Sequence, residues 1–130
     1  MKEEVYSSWK PLPDVPGRIY CEAVHHDYEH FRVLLKGDET TSRTFRILFE
    51  VIVAYRNINE SYRLRTWERV HGENMVGLFT VENSKWVEWL REESSGVLND
   101  VQLTHYAIFT PEDCIEIVSE FAPEVEWLND

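Results

Sequence analysis

The sequence is poor in cysteine and contains no long apolar run. Two cysteines in 130 residues, Cys21 and Cys114, are too few and too far apart for a disulfide framework or a zinc ribbon. No stretch approaches the ~20 consecutive apolar residues that a membrane-spanning helix requires. The first ten residues, MKEEVYSSWK, lack the basic and then apolar pattern of a secretory signal peptide. These absences predict a cytoplasmic protein with no membrane partner, in which both cysteines are thiols.

Basic residues are scarce in the second half of the chain. Residues 1–81 carry 12 acids and 11 bases, whereas residues 82–130 carry 12 acids and 2 bases, within a formal net charge of −11. A surface with this excess of negative charge repels phosphate groups, so we expect no nucleic acid partner. The same surface would attract a basic protein.

What the sequence contains is typical of one globular α+β domain. The chain is 43% hydrophobic and 13% aromatic, and a domain of this length buries roughly two-thirds of its unfolded surface. We predict a single domain over residues 1–130 that begins with an extended, proline-rich lead-in at residues 1–17. Patterns typical of β-strands, with alternating apolar and polar residues clearest in residues 43–56, predict an antiparallel β-meander. The predicted strands cover residues 18–26, 30–36, 43–56, 61–70 and 75–82.

Two helices are predicted in the C-terminal half, packed on this sheet. Residues 84–94 follow an N-cap at Asn83 or Ser84 and place their tryptophans at helical spacing. After a further strand at residues 101–109, Thr110 is the predicted N-cap of a second helix, with Pro111 at its first position. This helix ends at Pro123, and a short strand at residues 124–128 returns to the sheet edge. Its apolar stripe consists of Cys114, Ile117, Val118 and Phe121.

The second predicted helix carries an acidic surface opposite its apolar stripe. Glu112, Glu116 and Glu120 follow one another at i,i+4 spacing, where each like-charged pair destabilises a helix by roughly 0.2–0.5 kcal/mol. One interpretation is a solvated face that keeps the protein soluble. The other is a surface for a basic protein partner, because such charges raise association rates. The predicted partner-binding residues are Glu112, Asp113, Glu116, Glu120, Glu124 and, as an aromatic anchor, Trp127.

An arginine-rich face is the second candidate site. If strands 43–56 and 61–70 pair, their arginines project from one side of the sheet around Trp67. Such a face could hold a carboxylate or phosphate ligand, although pairing with acidic neighbours is an equally physical explanation. The predicted ligand-binding residues are Arg46, Arg63, Arg65, Trp67 and Arg69.

Histidine and cysteine residues give no catalytic or metal-binding pattern. His26 and His30 would be about 13 Å apart on a straight strand, and no third ligand follows at a known spacing. His105 is a conceivable base for a Cys114 nucleophile, but Cys114 belongs to the apolar stripe and is expected to be a buried, inert thiol. The sequence contains no GxSxG, no HExxH and no phosphate-binding glycine loop. We therefore expect no metal, no cofactor and no enzymatic activity.

Residues 104–128, THYAIFTPEDCIEIVSEFAPEVEWL, close a short, acidic α+β chain that has no catalytic motif. In this the chain resembles the small immunity proteins that bacteria make beside polymorphic or contact-dependent toxins. The resemblance implies binding to a toxin, often a basic nuclease, whose active site is blocked by carboxylates in place of phosphates. It assigns no individual residue.

The sequence thus leads to two hypotheses. The first is a cytosolic immunity or inhibitor protein that neutralises a basic toxin through its acidic surface. The second is a small domain that binds an anionic ligand, or an unrecognised enzyme, on the arginine face. A self-associating structural protein is a third possibility, and the oligomeric state does not follow from the sequence.

Overall fold

A computed structural model describes residues 2–37, 43–70 and 75–128. Within these ranges the chain forms nine strands, one 3-10 helix (Glu60–Tyr62) and two α-helices. The strands are β1 (Val5–Ser8), β2 (Ile19–Asp27), β3 (His30–Gly37), β4 (Thr44–Phe49), β5 (Ala54–Asn59), β6 (Gly77–Glu82), β7 (Thr104–Phe109), β8 (Asp113–Ser119) and β9 (Glu124–Trp127). The helices are α1 (Leu64–Arg69) and α2 (Lys85–Glu93).

The strands form two antiparallel sheets. The first sheet has the order β1-β6-β7-β8-β5 and the second has the order β2-β3-β4-β9. One buried cluster contains Phe31, Phe45 and Ile47 from the second sheet together with Ile108 and Ile117 from the first. The main core therefore lies between the two sheets.

A smaller core lies on the opposite face of the first sheet. Trp67 of α1 packs there against Phe109 of β7, with ring centroids 5.5 Å apart, and Cys114 of β8 belongs to the same cluster. Trp86 of α2 contacts His105 on that face, with ring centroids 5.3 Å apart. The molecule thus has three layers: the second sheet, the first sheet, and the two α-helices. Strand β8 is consequently buried on both faces.

The α+β class is confirmed in this broad sense, but the strands do not form one meander. The strand predicted over residues 43–56 divides into β4 and β5, which belong to different sheets. Its first part alternates as predicted, because Phe45, Ile47 and Phe49 are buried. The alternation predicted over residues 43–56 would place Val51 on the same core face, but Val51 is 62% exposed in the connection between the two sheets.

The strand predicted over residues 61–70 is wrong, since the 3-10 helix and α1 occupy this segment. The side chain of Asn59 accepts a hydrogen bond from the Ser61 N–H at 2.9 Å and begins the 3-10 turn. The Trp67 indole then donates to the carbonyl of Glu60 at 2.8 Å. Burial of Trp67 and this bond favour the helical turns over an extended strand.

The second predicted helix is also wrong, because residues 104–119 form the hairpin β7–β8. Thr110 does accept backbone hydrogen bonds, from the N–H groups of Asp113 at 2.9 Å and Glu112 at 3.3 Å. However, the Thr110 N–H donates to the carbonyl of Asp113 at 2.8 Å and closes a tight turn. The same Thr-Pro-x-Asp chemistry serves both a helix N-cap and this turn, and the sequence does not distinguish them.

Other predictions agree with the structure. Helix α2 begins after Ser84, whose hydroxyl accepts the Val87 N–H at 3.1 Å, and strand β9 lies at the edge of the second sheet.

The lead-in at residues 1–17 is not wholly extended coil, since β1 pairs with β6. The segments GDETTS (residues 37–42) and HGEN (residues 71–74) predict turns, and apart from Gly37 they lie outside the described residues. None of the helices in the described ranges has the length and apolarity to cross a membrane.

Candidate functional site

The predicted acidic surface does not form, because its residues are dispersed. Glu112 lies in the turn before β8 and Glu120 follows the other end of that strand, which separates them by about 26 Å of extended chain. Glu116, between them, is completely buried. Glu124 lies on β9 in the other sheet, and Asp113 is engaged in the β7–β8 turn.

The predicted aromatic anchor and one of the predicted arginines lie on the second sheet. Trp127 is half-buried, with its ring centroid 5.3 Å from that of Phe45, and the guanidinium of Arg43 lies 4.7 Å from the Trp127 ring. On the neighbouring strand, Arg46 makes an ion pair with Glu126 at 2.6 Å. Arg46 is thus separated from the other predicted arginines and is paired with an acid.

Of the predicted arginine face, only Arg63 and Arg69 come together. Trp67 is 5% exposed and belongs to the smaller core, so it cannot stack on a ligand. Arg65 is exposed on α1 and does not line the pocket that contains the other two arginines.

Arg63 and Arg69 line a pocket of about 460 Å³ between α1, β5 and α2. We call it the cationic pocket, and its lining residues are Glu4, Arg56, Arg63, Arg69, Lys85, Trp86 and Trp89. Four cationic side chains thus gather at one place in a protein with a net charge of −11. Arg56, Lys85, Trp86 and Trp89 were not among the predicted ligand-binding residues, because only the packing of α2 and β5 beside α1 brings them together.

Glu4 holds one side of the cationic pocket. Its carboxylate accepts the Lys85 N–H at 2.9 Å, at the N-terminus of α2, where the helix dipole favours a negative charge. The other oxygen lies 3.5 Å from a guanidinium nitrogen of Arg69. Also in the pocket lining, the Arg56 guanidinium lies 4.3 Å from the Trp86 ring, a cation–π contact.

Beneath the pocket, Glu116 is the centre of a buried polar network. Arg56 Nε lies 3.0 Å from Glu116 Oε2, and Arg63 donates to the same oxygen. His105 Nε2 lies 2.7 Å from Oε1. Burial raises the pKa of the Glu116 carboxyl, but hydrogen bonds from His105 and Arg56 and the charges of Arg56 and Arg63 outweigh it and lower this pKa to about 2. Glu116 is therefore ionised throughout the physiological range.

The network continues from His105 to Ser84. The Ser84 hydroxyl oxygen lies 2.7 Å from His105 Nδ1. An ionised carboxylate can only accept hydrogen bonds, so His105 Nε2 carries a proton toward Glu116 when the ring is neutral. The other ring nitrogen, Nδ1, is then the acceptor for the Ser84 hydroxyl. Ser84, His105 and Glu116 thus form a directed chain of hydrogen bonds under the N-terminus of α2.

A second pocket, of about 530 Å³, lies at the Ser84 end of this chain. Ser84 and His105 are among its lining residues, together with Val87 and Glu88 of α2 and Leu103. We call it the Ser84 pocket. The two pockets differ in charge, because the lining of the Ser84 pocket includes Glu82 and Glu88 but no Lys or Arg.

The predicted histidine pair lies at the β2–β3 hairpin. His26 packs against Phe31 and Tyr55, and His30 hydrogen-bonds through Nδ1 to the carbonyl of Glu50 at 3.0 Å. Over residues 2–37, 43–70 and 75–128, no three His, Cys, Asp or Glu side chains are placed to hold one metal ion.

Cys114 is fully buried, and burial raises the pKa of its thiol to about 12. The thiolate is the reactive form of cysteine, so Cys114 is unsuited to nucleophilic chemistry at neutral pH. The buried, inert thiol expected from the sequence is what the structure contains. The partner of His105 is instead Ser84, a pairing that no local sequence motif marks.

We found no family model, curated protein or solved structure that matches the chain. The resemblance of residues 104–128 to immunity proteins stays a prediction.

Proposed function

We propose that the protein binds a small anionic ligand, a carboxylate or a phosphate ester, in the cationic pocket. The observation that carries this proposal is the gathering of Arg56, Arg63, Arg69 and Lys85 around one concave surface of a strongly acidic chain. The local charge of this cluster exceeds what Glu4 and Glu116 neutralise.

The cations of the pocket differ in how firmly they are engaged. Arg63 is 9% exposed, and its guanidinium donates hydrogen bonds to Glu116 and Thr66. Arg69, by contrast, is 43% exposed and contacts Glu4 only at 3.5 Å. Lys85 is exposed, and it is its backbone N–H that reaches Glu4. Arg69 and Lys85 are therefore the groups that would bind the ligand directly, while Arg56 and Arg63 supply a fixed positive field.

The indoles of Trp86 and Trp89 would allow the cationic pocket to bind a planar or apolar group as well as an anion. Trp86 is covered on one side by the Arg56 guanidinium, whereas Trp89 is 53% exposed. An exposed indole beside an anion site favours a ligand with a planar or apolar group attached to its acid.

Tryptophan fluorescence and thermal melting test this proposal. The probes are inorganic phosphate, phenyl phosphate and benzoate at constant ionic strength. We expect phenyl phosphate and benzoate to quench fluorescence saturably and to raise Tm. Arg69→Gln and Lys85→Gln should each weaken binding about tenfold, roughly the 1.5 kcal/mol of a charged hydrogen bond.

Lys36→Gln is the matched control, because it removes one positive charge from an exposed residue of the second sheet that is paired with Glu22. It should leave binding unchanged. If Lys36→Gln weakens binding as much as the pocket variants do, the effect comes from the net charge of the protein and not from the cationic pocket. The absence of saturable binding of all three probes would refute the proposal.

A second candidate is the toxin-neutralising function predicted from the sequence, in a cytoplasmic protein but on a different surface. Glu88, Glu92 and Glu93 are exposed on α2, with Glu88 and Glu92 at i,i+4 spacing beside the half-exposed Trp89. Acids around an exposed tryptophan suit a basic protein partner.

Capture of partners from a lysate of the protein's own source, at low and high salt, tests this candidate. A single basic protein whose retention falls with salt and with Glu88→Lys and Glu92→Lys would support it. If the basic protein is still retained by both charge-reversal variants, it binds another surface.

A further inference from the structure

We propose that Ser84 is a nucleophile toward small esters that enter the Ser84 pocket, with His105 as its base and Glu116 as a positioning residue. This role is independent of anion binding in the cationic pocket. It rests on three features: the Ser84–His105–Glu116 hydrogen bonds, the pocket that ends on them, and the position of Ser84 at a helix N-terminus.

The hydrogen bonds have the order that an activated hydroxyl requires. Nucleophile and base are joined by the Ser84 Oγ to His105 Nδ1 contact at 2.7 Å, and base and carboxylate by the His105 Nε2 to Glu116 Oε1 contact at 2.7 Å. Serine is a weak nucleophile until a neighbouring base removes its proton, and the base must present its unprotonated nitrogen. Glu116 fixes that tautomer because its carboxylate accepts a hydrogen bond from the protonated Nε2.

Arg56 and Arg63 make this arrangement stable. Both donate to Glu116 Oε2, and Arg56 also donates to Oε1 at 3.3 Å, the oxygen that His105 contacts. The carboxylate is thus balanced by two guanidiniums and has no tendency to take the proton from His105. A buried carboxylate without these partners would be protonated or would distort the site.

Ser84 lies where negative charge is stabilised. It is the N-cap of α2, and its Oγ already accepts the Val87 N–H at 3.1 Å. The dipole of α2 favours negative charge at this end, where the Lys85 N–H already donates to the Glu4 carboxylate at 2.9 Å. The preceding residue, Asn83, has φ of 58°, a left-handed conformation that is rare outside glycine and that turns the chain sharply from β6 into α2.

The lining of the Ser84 pocket defines the substrate class. Val81, Val87 and Leu103 provide apolar contact near the serine, and Glu82 and Glu88 add negative charge. A neutral or cationic ester fits this lining, whereas an anionic ester would be repelled. The pocket thus selects the opposite charge from the cationic pocket.

The reaction is an acyl transfer in two steps. Ser84 Oγ forms a bond to the ester carbonyl carbon while its proton passes to His105 Nδ1; the bond to the alcohol oxygen then breaks and that oxygen takes the proton from His105. Water next attacks the acyl-serine, gives its proton to His105, and the proton returns to Ser84 as the carboxylic acid leaves. No oxidant, reductant or metal is needed, and the net reaction is ester plus water to acid plus alcohol.

Labelling of the full chain with a neutral alkyl fluorophosphonate, read by intact-mass and peptide mass spectrometry, tests the proposal. We expect one adduct, on Ser84, and hydrolysis of p-nitrophenyl acetate that the adduct abolishes. Ser84→Asn keeps an N-cap residue and should therefore fold, but it should lose both the adduct and the hydrolysis. His105→Gln should lower the labelling rate at least a hundredfold.

Glu116→Gln, provided that circular dichroism shows it to be folded, tests the positioning role. It should slow labelling of Ser84, because the amide NH2 can donate to His105 Nε2 and then leaves the ring proton on Nδ1, facing Ser84. Glu116→Asp keeps the carboxylate and should recover part of the labelling rate, whereas a purely structural carboxylate would change Tm in both variants without changing that rate. The control variant Lys36→Gln should be labelled at the same rate as the unsubstituted protein.

Two outcomes would overturn the proposal. One is the absence of a Ser84 adduct in a protein whose melting is cooperative. The other is labelling that His105→Gln leaves unchanged or that occurs equally at an exposed serine such as Ser61. In either case the network would be structural only.

Discussion

His105 and Glu116 are joined by a 2.7 Å contact, although they are not opposite each other in the β7–β8 hairpin. His105 pairs with Val118 and Glu116 pairs with Ala107, so the two are diagonal neighbours on the face that the helices cover. Through Ser84, Arg56 and Arg63, this pair also reaches the N-terminus of α2, strand β5 and the residue before α1. The buried Glu116 carboxylate therefore connects the helical layer to the first sheet through hydrogen bonds.

Replacing this carboxylate should destabilise the fold strongly. Glu116→Gln removes the negative charge that Arg56 and Arg63 share and replaces one acceptor oxygen with an NH2 donor. Removing one partner of a buried ion pair costs about 3–5 kcal/mol. Urea denaturation measures the loss in free energy of unfolding. The matched control is Glu112→Gln, an exposed carboxylate at the turn, which should change that free energy by less than ~0.5 kcal/mol. Equal effects would contradict the role assigned to Glu116.

Stability should fall in acid because of the same residue. The pKa of Glu116 is lowered from 4.5 to about 2 in the folded protein, so the folded state binds fewer protons than the unfolded state in this interval. Its contribution, on the order of 3 kcal/mol, is present above pH ~4.5 and is lost as pH falls toward 2. Urea midpoints between pH 6 and pH 2 measure this, and Glu116→Gln should flatten the curve. An unchanged slope in that variant would assign the acid sensitivity to other carboxylates.

The β7–β8 turn should depend on the Thr110 hydroxyl. This oxygen accepts the N–H groups of Glu112 and Asp113, and Thr110 is 3% exposed. Thr110→Ala should lower the free energy of unfolding by about 1–2 kcal/mol, because two backbone donors lose their acceptor. Thr110→Ser keeps the hydroxyl and should recover most of the loss. If both variants melt alike, the lost methyl group rather than the hydrogen bonds is responsible.

Both cysteines should react slowly in the folded protein. Burial raises the pKa of the Cys21 thiol to about 11 and that of Cys114 to about 12, so few thiolates exist at pH 8. Iodoacetamide alkylation followed by mass spectrometry should modify Cys21, which is partly exposed, before Cys114. Both should react at the rate of a free thiol in urea. Rapid modification of Cys114 without urea would contradict its burial in the smaller core.

Several elements could be predicted because their signals are local. Helix α2 has an N-cap at Ser84 and apolar spacing of 3.6, and strand β4 alternates Phe45, Ile47 and Phe49 toward the main core. Each of these patterns depends on one element having one buried and one exposed face. Where that condition holds, the residues themselves indicate the structure.

Strand β8 has no exposed face, and for this reason residues 111–122 were wrongly predicted to form a helix. Sheet packing buries Ile115 and Ile117 on one face, and the helical layer covers Cys114 and Glu116 on the other. A strand buried on both faces loses its period of two, and its apolar residues then match a helical stripe equally well. Glu116 was read as exposed because its partners, Arg56, Arg63 and His105, are distant in sequence.

By itself, the sequence determined that the chain has α and β elements, that its charge is strongly acidic, and that a helix follows Asn83 or Ser84. Only the tertiary structure decided that the strands divide into two sheets, that Glu116 is buried, and that four cations share a pocket. The physical reason is that propensity, capping and alternation act over a few neighbouring residues. Ion pairs such as Arg56–Glu116, in contrast, join residues 60 positions apart, and only the packing of the sheets and helices brings them into contact.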